Sequence, residues 1–317
     1  MRTAIRKAFG AFPVLPVVAA ILVGSAPGVS VTHAQGDQAQ AVLAAMKTAM
    51  GGDKVDAIKS LSAEGTYRRT MGEREMAGDL ELYFVLPDKF QRVEQFTLPT
   101  GMPGPRIMQT FDGTKGWMDT QGGGGNFQFR MGPPGGGPGG PGGPGGPGGN
   151  FDPSSRIRGE FYRTLLGILP VAPGVSGLTF THAGQADSND GTADVLDVKG
   201  DNNFTARLFV DTKTHLPLML TFNAPQMRQI QFQRKEGETP EDVRKRFQEE
   251  REKLDKQGPP PMVENQLFFA DHKKIDGLML PTHITRSVDG KTTEELEIKK
   301  YKTNPAIDPQ QFVKKGS

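Results

Sequence analysis

Gly-Asp-Leu-Glu-Leu-Tyr-Phe-Val-Leu-Pro-Asp-Lys-Phe, residues 78–90, is the stretch whose reading decides the fold. Leu80, Leu82, Phe84 and Leu86 alternate with Glu81 and Tyr83. Successive side chains of a strand point to opposite faces, so the segment is a half-buried antiparallel strand with one apolar side. Pro87-Asp88 reads as a turn, and 90–98 returns as a second strand. Further runs of strand character lie at 106–111, 116–120 and 126–131, and then at 178–183, 193–198, 206–211, 216–223, 228–234, 266–272, 280–288 and 293–300. Turn signals such as Asp289-Gly290 separate them, as in one long meander. The pattern predicts a mainly β chain of α+β type, with about a dozen strands in a single curved antiparallel sheet.

Helices are predicted at the start and in the middle. Ala39, Val42, Leu43 and Met46 recur at helical spacing, with Gly51-Gly52 as a stop. Asp53 is placed to cap a second short helix carrying Val55, Ile58 and Leu61. Ser154 or Ser155 is placed to cap a helix reaching about Leu169, with Ile157, Phe161, Leu165 and Ile168 on one face. Facing a concave sheet, that helix serves either as a lid or as a permanent plug.

Two insertions interrupt the strands. Gly (41) and Pro (25) are far in excess of ordinary usage, and residues 132–149 contain nothing else. This tract reads as a flexible loop rather than a collagen helix, because six or so triplets with no partner chains cannot form one. The second insertion, 239–260, carries a heavily charged helix over 239–257. Thr239 caps it, Pro240 takes the first helical position and Asp242 completes a capping box. Val243, Phe247 and Leu254 give it only a thin apolar stripe, which suits a solvated excursion better than a docking face.

Residues 1–34 read as a secretory signal peptide. Arg2, Arg6 and Lys7 precede an apolar run from 11 to 23, and Thr32-His33-Ala34 offers small residues for cleavage after Ala34. The run is short for a bilayer anchor and is broken by Pro13 and Pro16. No transmembrane segment is expected in the mature chain, 35–317. The formal net charge of +2 falls to −1 without the leader, which argues against a nucleic-acid partner. An exported chain with no cysteine has neither a disulfide framework nor a thiolate site, and a bacterial periplasm suits it.

Signals for catalysis are weak. His182, His215, His272 and His283 show no metal-ligand spacing, and Gly174-Val175-Ser176-Gly177 is not a nucleophile elbow. The glycines at 122–125 are followed by no Gly-Lys-Ser/Thr. No catalytic residue, metal or cofactor is expected. Phenylalanine is abundant at 19 copies, and Phe84, Phe90, Phe96, Phe111 and Phe222 fall on apolar strand faces. They read as core or as the lining of an apolar cavity on the concave side.

The order of motifs resembles the LolA-type periplasmic carriers of lipoproteins. Gly78-Asp79-Leu80 is followed by Pro87-Asp88-Lys89-Phe90 and then by Asp112-Gly113-Thr114-Lys115-Gly116-Trp117. Phe209-Val210-Asp211 with Leu216-Pro217, and Ile275-Asp276-Gly277 with Leu280-Pro281, continue the likeness. Asn304-Pro305-Ala306-Ile307-Asp308 with Phe312 resembles the family's closing strand. The resemblance implies an unclosed half-barrel covered by N-terminal and central helices, without catalysis, enclosing an apolar site for acyl chains or a lipoprotein. On it, Leu80, Leu82, Phe84, Leu86, Phe90, Phe96, Phe111 and Trp117 line the cavity, and Ile157, Phe161 and Leu165 belong to the lid. The carriers place an arginine before the proline to hold the lid closed, and here that residue is Leu86. Arg92 shares the parity of Phe90 and Phe96, and the sequence places it at a rim or outward after a bulge rather than inward as a substitute latch. The alternative expectation is an envelope interaction or sensor protein whose barrel is filled by its own side chains. A hydrolase using His272 or His283 is a distant third.

Overall fold

The computed structural model describes residues 31–71, 74–98, 101–122, 153–172, 177–188, 191–226, 238–258 and 260–314. The predicted strands at 126–131 and 228–234, most of the leader and the Gly/Pro tract lie outside these residues.

Helix α1 (Val31–Met50) starts upstream of the expected cleavage point, and α2 (Asp53–Asp56) follows it. Gly52, not Asp53, occupies the N-cap of α2, so Asp53 lies inside the helix. Five strands come next: β1 (Ser60–Met71), β2 (Arg74–Val85), β3 (Lys89–Thr97), β4 (Pro103–Phe111) and β5 (Gly116–Gln121). The first was not predicted, and Leu61 belongs to it rather than to the short helix. Arg68, Arg69 and Glu64 interrupt the apolar alternation that marks β2, so β1 carries a weaker signature.

The central helix α3 (Pro153–Ile168) precedes β6 (Thr179–Ser188), β7 (Gly191–Gly200), β8 (Phe204–Asp211) and β9 (Pro217–Pro225). Ser154 and Ser155 lie in the first turn of α3 rather than at its cap. The charged helix α4 (Pro240–Lys256) leads to β10 (Met262–Ala270) and to a hairpin of β11 (Lys273–Ile275) and β12 (Leu278–Leu280). Last come β13 (His283–Val288) and β14 (Lys291–Thr303). The strand expected over 280–288 is thus divided at Pro281-Thr282.

Twelve strands form one antiparallel sheet in the order β5-β4-β3-β2-β1-β14-β13-β10-β9-β8-β7-β6, with β11 and β12 apart. The sheet does not close, because β5 and β6 are both edges. The chain runs outward from β1 to the β5 edge, resumes at the β6 edge, and returns until β14 pairs with β1. Since α3 lies between the two edge strands in sequence, it makes the crossing over one face, hereafter the concave face. It packs on β4 and β5 at one end and on β8, β9 and β10 at the other, while α1 packs along β6 and β12.

Hairpin chemistry fixes the register. Asp289 and Gly290 join β13 to β14 with φ of 50° and 73°, and Asn202 and Asn203 join β7 to β8 with φ of 54° and 58°. Asn304, with φ of 50°, ends β14 and accepts from the backbone of Lys59 at 2.7 Å. The motif at 304–308 is therefore a turn after the last strand, not a closing strand. The chain continues to a 3-10 turn, Pro309–Phe312, over the opposite, convex face of β3. There Gln91 Nε2 donates to the backbone oxygen of Gln311 and to Thr110 Oγ1, both at 3.0 Å.

The capping box of α4 is reciprocal, as expected. Thr239 Oγ1 accepts from the Asp242 backbone at 3.2 Å, and the Asp242 carboxylate accepts from the Thr239 backbone at 3.1 Å. The side chains of Phe247 and Leu254 lie outside the described residues.

Candidate functional site

Cross-strand pairing brings the apolar faces of β2, β3 and β4 together. Phe84 lies opposite Phe90, and Phe90 opposite Phe111. Phe161 of α3 enters among them, with ring centroids 6.3 Å from Phe84, 6.0 Å from Phe90 and 6.1 Å from Phe111. These tilted pairs combine dispersion with quadrupole attraction beyond simple area burial. Leu80, Leu82, Phe96, Ile157 and Leu165 are buried in the same core, and Leu86 is half-buried against it.

Trp117 does not join them. Gly116 lies opposite Phe111, so Trp117 lies opposite Thr110 and faces the convex side. Its indole nitrogen donates to Asp119 at 3.0 Å. The sequence motif at 112–117 puts a tryptophan on this hairpin, but the register turns it away from the cage.

At the other end, α3 approaches the sheet closely at Gly167. A Cβ added there would lie 1.8 Å from Phe269 on β10. The Phe269 ring therefore packs directly against the α3 backbone, in the space a helix side chain would otherwise take.

Between these apolar ends lies a buried ionic cluster that the sequence reading did not assemble. One inward row runs Arg69, Glu294, Arg286, Leu267, Leu220, Leu208 and Leu196 across β1, β14, β13, β10, β9, β8 and β7. The outer members are leucines, and the inner three carry charge. Arg92 and Glu94 join from β3, and Glu160 descends from α3.

Arg92 points inward and is only 4% exposed, against the expectation of a rim or outward position. It donates to Glu94 at 2.7 Å, to Glu294 at 2.8 Å and to Glu160 at 3.3 Å. Arg69 is bidentate on Glu94, at 3.0 and 2.6 Å, and also donates to Glu294. Arg286 grips both oxygens of Glu160 at 2.6 and 2.8 Å. Three arginines thus meet three glutamates, which lets six charges share a dry environment.

The titration of the cluster follows from this pairing. Burial alone would raise the Glu160 carboxyl, but Arg286 and Arg92 hold it far below the usual range. Burial likewise opposes ionisation of Glu294, and Arg92, Arg69 and Arg286 bring it down to about 2. Burial would lower Arg92 and Arg69, yet Glu294 and Glu94 raise both. These shifts favour the charged forms of Glu160, Glu294, Arg92 and Arg69. The legible signal was phase, since Arg92 and Glu94 keep the parity of Phe90 and Phe96. Glu160, Arg286 and Glu294 had no such marker.

His272 and His283 are not brought into this cluster. Burial lowers the pKa of His272. Among the described residues no group of three or more His, Cys, Asp or Glu side chains is placed to hold a metal, and no helix is long and apolar enough to cross a membrane.

No family model matches the chain, and no curated protein matches it. Among solved structures it is similar to a DUF1329 family protein from Desulfovibrio piger, at 11% identity and a TM-score of 0.45. It is also similar to an outer membrane lipoprotein-sorting protein domain from Vibrio parahaemolyticus, at 10% identity and 0.45. A LolA superfamily protein from Nitrosomonas europaea aligns at 12% identity and 0.44. Each alignment covers 87% of this chain and 97% of the other. At these identities and TM-scores, the description of the fold rests on the chain's own strand order and register.

Proposed function

We propose that this protein is an exported, non-catalytic binder of lipid acyl chains or of a lipidated protein, working in the bacterial periplasm. The observation that carries the reading is the seat of Phe161. A side chain from a helix outside the sheet fills an aromatic cage built by three strands, so withdrawal of α3 exposes a ready apolar site. Each acyl CH₂ buried there contributes about 0.8 kcal/mol, enough for useful affinity without polar contacts. The motif resemblance to the LolA-type carriers supplies the ligand class.

Leu86 stands where those carriers place an arginine, and the clasp on α3 comes instead from Arg92 and Arg286 holding Glu160. Leu82→Arg, which puts a charge against the cage, is expected to abolish uptake of a fluorescent fatty acid. Retained uptake in a folded Leu82→Arg variant, judged by circular dichroism, would sink the proposal.

A second reading is favoured by the same filled cage. If α3 never withdraws, the half-barrel is a self-filled scaffold for contacts with envelope proteins. Native mass spectrometry of the protein purified from a periplasmic fraction separates the two. Acylated species near one per chain support the lipid binder. A clean apo mass with no later fatty-acid uptake supports the scaffold.

A further inference from the structure

On the flank of α3 away from the ionic cluster, a cleft of about 110 Å³ opens toward the β7–β8 turn and β9. Arg158, Tyr162 and Arg163 of α3 line one side, and Asn202, Asn203 and Asn223 line the other. The volume suits a compact group of a few heavy atoms rather than a chain.

Arg163 is the informative residue. Its guanidinium carbon stands over the Phe222 ring, 4.0 Å from the centroid, and its Nε is sealed from solvent with no hydrogen-bond partner. Gly159 makes room for this pose, because a Cβ there would come within 3.1 Å of both terminal nitrogens. The carboxylate paired with Arg163 is Glu160, at 4.0 Å, and Arg286 already grips that carboxylate at 2.6 Å. Burial accordingly brings Arg163 down to about 10, whereas Arg92 and Arg286 are raised by their glutamates. A desolvated cation with so little compensation favours an anion beside it.

Arg158 also lines the cleft, its guanidinium standing over the Phe111 ring at 5.1 Å with one nitrogen donating to the Thr114 backbone oxygen at 3.2 Å. The three asparagines supply neutral amide donors. Asp201 also lines the cleft, and it disfavours an anion with no proton to offer. A phosphate carrying a neighbouring hydroxyl satisfies both sides: its oxygens accept from the arginines and amides, and the hydroxyl donates to Asp201.

We infer that this cleft binds a phosphate group flanked by a hydroxyl, either as a lipid headgroup or as a free phosphoester. The headgroup form rests on the acyl-binding proposal. An aromatic path links the two places: Phe161 lies 5.2 Å from Tyr162, and Tyr162 lies 5.1 Å from Phe204 in the cleft wall. Because α3 supplies one wall of the cleft, the headgroup form requires the helix to be seated again once a chain has entered.

The test titrates the full mature chain with glycerol 3-phosphate, with dihexanoyl phosphatidylglycerol and with a fatty acid, followed by calorimetry. Arg163→Gln and the exposed turn variant Asn203→Asp are compared with the parent; the latter guards against a folding defect in the former. Both variants are expected to weaken the phosphate probes at least tenfold and to leave fatty-acid uptake unchanged. Binding of both phosphate probes with equal loss in the variants assigns a free phosphoester. Binding of the phospholipid alone, lost in the variants, assigns a headgroup. Phosphoester binding without fatty-acid uptake keeps the cleft and defeats the acyl-chain reading. Failure of the parent to bind either phosphate probe overturns the inference. So does phospholipid binding that is indifferent to both folded variants, which leaves the acyl reading standing.

Discussion

Glu160 is the charge that α3 brings down onto the sheet, and its partners decide what its removal costs. Glu160→Gln leaves Arg286 with only the more distant Glu294, at 3.9 Å, and takes one of three carboxylates from Arg92. Breaking such a buried pair costs about 3–5 kcal/mol. The exposed pair Lys302–Glu64, at 2.7 Å, is the control. Its disruption by Glu64→Gln should cost at most about 1 kcal/mol. Urea unfolding of the two variants checks the contrast, and equal losses would mean that the cluster does not hold α3.

The same carboxylates set the pH dependence. Glu160 and Glu294 are depressed from an ordinary value of 4.5, Glu294 to about 2. A depressed carboxylate adds stability that is complete above its unfolded value and lost as pH falls through its folded one. Stability should therefore hold at neutral pH and drain away from about pH 4.5 downward to about 2. Near-UV circular dichroism against pH reads this window, and Glu160→Gln should flatten it. Parity with Phe90 and Phe96 was the signal available for Arg92 and Glu94, yet the sequence reading set Arg92 at a rim or outward. What parity could not say is whether a counter-charge waits there.

At the scale of elements, α3 is read well in pattern and incompletely in consequence. Ile157, Phe161 and Leu165 recur at helical spacing, and all three are buried against the sheet. Gly167 shows the limit of local reasoning. In an exposed helix, Gly→Ala is expected to stabilise by about 1 kcal/mol. Here the new methyl would collide with Phe269, itself only 3% exposed and unable to swing into solvent. Gly167→Ala should therefore destabilise, by about 1–3 kcal/mol, and make the end of α3 exchange its amides faster. Hydrogen exchange resolved along the helix measures this, and a stabilised variant would refute the close seat. Helix α4 is the opposite case, because its start is encoded within four neighbouring residues and forms as read.

At the scale of the whole molecule, the two arms of the sheet meet where β14 pairs with β1, and α3 spans from β4 and β5 of one arm to β8, β9 and β10 of the other. Residues 132–149 lie in the sequence between β5 and α3. Loop closure entropy changes slowly with length, by only about 0.6 kcal/mol per doubling. Deleting 132–149 should leave the thermal midpoint and fatty-acid uptake near those of the parent. Loss of an envelope partner in pull-downs from the deleted form, with uptake absent in both, would favour the scaffold reading.

The sequence by itself determined the strands with clean alternation, the inward face of Leu80, Leu82, Phe84 and Phe90, and the capped start of α4. Those features follow from chain geometry over a few residues, where sterics and local hydrogen bonds are strong enough to decide. Only the tertiary structure decided that Trp117 faces away from Phe111, because strand register is set by pairing and not by composition. It also decided that Arg92 lies inside. A buried arginine is tolerable only with its counter-charges in place, and one of them, Glu294, stands 202 residues away along the chain.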